Sequence, residues 1–120
     1  MATTIEQLSV KTCAPCREGT PALSLERAQE LLHGLSGWEL SRDGKIIRKE
    51  LLMKDFSAAA ELIQRIAQLA DAEDHHPDLH LTGYRKLAIE LSTHAIGGLS
   101  ENDFILAAKI EGLPKSLKES

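Results

Sequence analysis

Residues 55–91 read DFSAAAELIQRIAQLADAEDHHPDLHLTGYRKLAIEL, and a change of period inside them decides the fold. Phe56, Ala60, Ile63, Ala67 and Ala70 step by three and four, and Ala59, Leu62, Ile66 and Leu69 widen the stripe. That spacing predicts a long amphipathic helix, with Asp55 as N-cap and no Gly or Pro before Pro77. After Pro77 the period falls to two. Leu87, Ile89 and Leu91 alternate with Lys86, Ala88 and Glu90, which predicts a strand with one buried face.

Working outward, Trp38 to Met53 reads as a hairpin, with Asp43-Gly44 supplying the positive φ values of a type I′ turn. Further upstream, Ser24 can cap a short helix from Leu25 to Leu32, which Gly34 stops. Downstream, Gly97-Gly98 turns the chain. Ser100-Glu101-Asn102-Asp103 resembles a capping box with Asp at its fourth position. A last helix follows from Phe104 to Ile110, and Gly112-Leu113-Pro114 ends it. The expected class is α+β: an antiparallel sheet of about four strands with helices packed on one face. Residues 1–22, with Cys13, Pro15, Cys16, Gly19 and Pro21, read as an extended arm. Residues 23–113 read as a single domain, and 114–120 as a polar, frayed tail.

At 120 residues the chain has room for one domain, and 42% hydrophobic residues can fill its core. Trp38, Phe56, Tyr84 and Phe104 are its aromatics, so Leu, Ile and Ala must build most of that core. A net charge of -4 lacks the basic footprint of a nucleic-acid binder. No apolar run approaches the roughly 20 residues of a membrane span. The first residues lack the pattern of a signal peptide, so the cytoplasm is the expected compartment.

Chemistry concentrates between residues 71 and 103. His75, His76, His80 and His94 lie there, interleaved with Asp71, Asp74, Asp78 and Asp103. Imidazole gives and takes protons near neutral pH, and a neighbouring carboxylate orients it. His75-His76 falls where the long helix should stop, and His94 where the strand should end. Such ends commonly present side chains to a cleft. Taken singly, a His-His-Pro run is also a plain helix C-cap, and His94 a turn residue.

Together the spacing says more. Asp71, His75-His76-Pro77, Tyr84, His94 and Asp103 resemble the signature of the pterin-4a-carbinolamine dehydratase family. Ser92-Thr93-His94 and Gly98-Leu99-Ser100-Glu101 are similar to the family as well, and Cys13-Ala14-Pro15-Cys16 resembles the N-terminal segment of bacterial members. The resemblance covers about residues 13–111 and implies dehydration of a 4a-hydroxy-tetrahydropterin to a quinonoid dihydropterin, a hydro-lyase reaction of tetrahydrobiopterin recycling. It implies His75 and His94 as the acid/base pair and His76 as a binding or assisting group. Asp71, Pro77, Tyr84, Thr93 and Asp103 become supporting residues, with Asp71 able to meet His75 at i,i+4. It also implies no metal or other cofactor, a homodimer or homotetramer, and a link to an aromatic amino-acid hydroxylase pathway. Leu79 departs from the Trp that the family often carries there, and His80 is not asked for by the pattern.

Three other readings compete. Cys13 and Cys16 with two histidines, or His76, Asp78 and His80 on one face of a strand, could bind a metal. The Cys13-x-x-Cys16 pair could be redox-active, though no helix start follows it. The fold could also serve as an assembly or dimerisation module, or act on a molybdopterin-type pterin.

Overall fold

A computed structural model describes residues 5–11, 13 and 21–118. The elements are α1 (Ile5–Ser9), α2 (Leu25–Leu32), β1 (Glu39–Leu40), β2 (Ile47–Leu52), α3 (Phe56–Glu73), β3 (Asp78–Thr82), β4 (Lys86–Leu91), a 3-10 turn at His94–Ile96 and α4 (Glu101–Glu111). The four strands form one antiparallel sheet in the order β1-β2-β4-β3. The expected α+β class is borne out.

Register explains the two faces of the sheet. Ile47 pairs with Leu91 and Leu51 with Leu87, while Leu79 and Leu81 sit opposite Ile89 and Leu87. These side chains share one face and join the core with Leu62, Ile66, Phe104 and Leu106. Lys49 also lies on that face; its long stem carries the ammonium out to an ion pair with Glu111. The opposite face is charged: Arg48 meets Glu50 at 2.9 Å and Glu90 at 3.2 Å. Exposed pairs of this kind contribute little to stability. Their use is to keep that face wet.

Capping follows the sequence. Ser24 and Asp55 accept the backbone N–H groups of Arg27 and Ala58, fixing the starts of α2 and α3. At the far end of α4, the Lys115 ammonium donates to the carbonyls of Ile110, Glu111 and Leu113, answering acceptors that a helix C-terminus leaves open. No helix among the described residues is long and apolar enough to cross a membrane.

Four local expectations are corrected. Ile5–Ser9, expected to be extended, is a short helix whose Leu8 is fully buried; residues 14–20 of the arm lie outside the described residues. The hairpin turn is not type I′, because only Gly44 of the Asp43-Gly44 pair has positive φ. Ser41 instead receives the N–H of Gly44, and its own N–H reaches Ile46. On α3 the buried face is Ala58, Ala59, Leu62, Ile66 and Ala70, while Phe56, Ala60 and Ala67 are exposed. An apolar stripe that wide is ambiguous about its centre. Finally, the tail is docked as far as Lys118. Leu117 bridges Met53, and Ser116 and Lys118 bond to Lys54 and Leu52.

Candidate active site

The helix end sets the site. Asp74 takes a left-handed conformation (φ 53, ψ 41) and its N–H closes on Ala70, which ends α3 after Glu73. Asp tolerates this backbone better than most side chains. The two histidines that follow are therefore out of helical register and find different carboxylates. His75 Nε2 lies 2.6 Å from Asp103 Oδ1, and His76 Nε2 lies 2.9 Å from Asp71 Oδ1. The expected Asp71–His75 pair does not form, because the helix stops before residue 75.

Asp103 is fully buried. Its Oδ2 accepts the Thr93 hydroxyl at 2.8 Å and the Ser100 N–H at 3.0 Å, the latter as half of a capping box on α4. Thr93 has one hydroxyl proton and gives it to Asp103, so Ser100 Oγ, 2.7 Å away, must donate to Thr93. With Oδ2 filled, Oδ1 is left to take His75. Thr93 itself is held by paired backbone bonds to Gly98 across the 3-10 turn, which fixes His94 at the cavity mouth.

His75, His76 and His94 line one cavity of about 390 Å³, shared with Thr93, Cys13 and Glu73. That volume is within the roughly 300–1,000 Å³ range of small-molecule sites. His75 is 12% exposed and His76 56%. His94 is exposed and opens the 3-10 turn rather than closing β4. Pro77 turns the chain into β3 and does not line the cavity. Tyr84 is elsewhere. It stands at the β3–β4 turn with φ 57, exposed, and the Arg85 guanidinium lies 5.4 Å from its ring centroid. The length of β4, roughly 20 Å at ~3.3 Å per residue, separates it from the histidines.

Residues 21–113 match the family described as Pterin 4 alpha carbinolamine dehydratase. The chain belongs to the pterin-4a-carbinolamine dehydratase family. It is 45% identical over 112 residues to mitochondrial pterin-4-alpha-carbinolamine dehydratase 2 of Arabidopsis thaliana, covering 91% of this chain and 60% of that protein. A Nitrosospira multiformis relative named for the same activity is 47% identical over 94% of this chain and 97% of its own. A Brucella melitensis crystal structure, titled transcriptional coactivator/pterin dehydratase, superposes with a TM-score of 0.71. It is 30% identical and covers 76% of this chain and 96% of its own.

The competing sequence readings fare less well against the geometry. Among the described residues, no group of three or more His, Cys, Asp or Glu side chains is gathered to hold a metal ion. His76 turns to Asp71 and His80 to Glu90 instead of converging with Asp78. Cys16 lies outside the described residues. Cys13 lines the cavity, and burial, reinforced by Glu73 beside it, pushes its thiol up to about 12. A nucleophilic or redox cysteine needs the opposite shift.

In a Cys16→Ser background, alkylation of Cys13 by iodoacetamide at pH 8 is expected to run roughly 10³-fold slower than that of a free thiol of pKa ~8.5. Its rate should keep rising past pH 9, because the thiolate fraction grows up to the raised pKa. A rate profile that levels off near pH 8 would contradict the assigned environment.

Glu73 is the ionisable cavity residue that sequence reading missed, and Cys13, read there as a metal or redox candidate, lines the cavity as well. Glu73 was hidden among the polar residues of a helix end. Its only sequence signal was its place two residues before His75.

Proposed function

We propose that this chain dehydrates a 4a-hydroxy-tetrahydropterin to the quinonoid dihydropterin by histidine acid–base catalysis. The observation that carries the reading is His75 on the buried Asp103, with His94 and His76 on the same cavity. The reaction breaks the C4a–O bond and the N5–H bond and forms a C4a=N5 double bond, releasing water. Asp103 accepts from Thr93 and Ser100, and a carboxylate can only accept. His75 therefore donates its Nε2 proton, which leaves Nδ1 with a lone pair. On this reading His75 takes the N5 proton and His94 protonates the departing hydroxyl, with His76 as a second donor at the rim. Each such transfer is worth on the order of 10²–10⁴-fold in rate. Tetrahydropterin recycling after an aromatic amino-acid hydroxylase, in the cytoplasm and as a homodimer or homotetramer, completes the proposal.

The coactivator half of the Brucella structure's title favours a second reading, an assembly or dimerisation module. One experiment separates the two. Stopped-flow absorbance should follow dehydration of enzymatically generated 4a-hydroxy-tetrahydropterin with and without micromolar protein. A protein-dependent acceleration is expected. An unchanged rate would remove the enzyme reading and leave the module.

A further inference from the structure

We propose that Glu73, fixed by the N-terminal segment, is the carboxylate that recognises the pyrimidine edge of the pterin. This inference rests on the dehydratase reading and assigns a residue that the reaction itself does not use.

The chain before the domain reaches the cavity along a defined route. Leu8 is fully buried in the core, the Lys109 ammonium donates to the Ser9 carbonyl at 2.9 Å, and Lys11 pairs with Glu101. These contacts seat residues 5–11 against α4. At the end of that route, the Cys13 N–H donates to Glu73 Oε1 at 2.9 Å, and the Cys13 thiol points to the Asn102 carbonyl at 3.7 Å. Cys13, Glu73 and Asn102 all line the histidine cavity.

Glu73 thus has one oxygen anchored by a backbone donor from a distant part of the sequence. The Cys13 thiol also hydrogen-bonds to this carboxylate. A carboxylate has about four acceptor positions, so lone pairs remain for a ligand in the cavity that Glu73 lines. Asp74, the neighbouring carboxylate, is exposed, and no hydrogen bond or ion pair to its side chain is found among the described residues. Preorganisation favours Glu73.

The ligand's chemistry supplies the match. A pterin carries N3–H and its 2-amino group side by side, two donors facing the same way. A carboxylate offers two acceptors in the complementary fork, and charge-assisted pairs of this kind are short and strong. This edge lies across the bicycle from N5 and C4a, so its grip leaves the reacting atoms to the imidazoles.

The test compares two ligands by isothermal titration calorimetry: 6-methyltetrahydropterin and its 2-deamino analogue. Glu73→Gln keeps an oxygen for the Cys13 N–H but loses the second acceptor and the charge. It is expected to weaken binding of the amino ligand roughly 10- to 100-fold, the loss of a charged hydrogen-bond pair, and to weaken the deamino ligand, which keeps only the N3–H donor, by a clearly smaller factor. Equal weakening of both ligands would show a strap for the N-terminal segment and overturn the proposal. Unchanged binding of both would overturn it too. A parent protein that binds the amino ligand through Glu73 but fails to accelerate dehydration would sink the catalytic reading alone.

Discussion

Replacing His75 and His94 together with alanine is expected to lower the catalysed dehydration rate by ~10³-fold or more. Each ring comes from a different element, the α3 end and the 3-10 turn, and in the proposed mechanism each serves one of the two proton movements. If both act in one step, the double loss should fall short of the product of the single losses. The folded state should survive. His94 is exposed, and the cavity that His75 leaves adjoins solvent. Circular dichroism on each variant checks that point. Double-variant activity within tenfold of the parent would end the assignment.

The second large effect is expected from Asp103→Asn. Three donors point at this carboxylate: the Thr93 hydroxyl, the Ser100 N–H and His75 Nε2. An amide offers one oxygen and presents N–H on the other side, so at least one donor meets another donor. If the amide nitrogen faces His75, the ring must turn its proton to Nδ1 and loses the lone pair assigned to N5. The comparable aspartate-to-asparagine change in a serine-protease triad costs ~10⁴ in kcat through the same tautomer switch. A fall of roughly 10²–10⁴-fold in kcat is expected here. Denaturant unfolding should show a loss of ~1–3 kcal/mol, the usual penalty for an unsatisfied buried group. A variant that keeps more than a fifth of the parental kcat would show that Asp103 serves the helix and not the imidazole.

Much of this arrangement was legible in the sequence because local patterns govern it. Ser24 and Asp55 announce helix starts, and the period change after Pro77 separates α3 from the strands. Ser100 to Asp103 announces α4. The histidines and Asp103 were legible through spacing. What spacing could not supply was pairing. Asp71 looks ready for His75 at four residues' distance, but the left-handed Asp74 breaks the helix and sends Asp71 to His76 instead. Asp103 meets His75 only because α4 packs against the α3 end, a tertiary fact with no local trace. Tyr84 fits the signature yet lies at the far end of β4, since a sequence gap does not say which way a hairpin runs. The helical turn at Ile5–Ser9 was obscured by polar neighbours, and the burial of Leu8 against the core is what favours it.

The order of the sheet has a further consequence, for colloidal behaviour. Its outermost strands are β1, two residues long, and β3, which begins directly after Pro77 with Asp78. A short rim gives an incoming chain few hydrogen bonds, and a ring nitrogen and a charge at the start of the longer one discourage docking there. Runaway stacking into fibrils is thus disfavoured without any covering layer, which leaves the charged face of the sheet free of that duty.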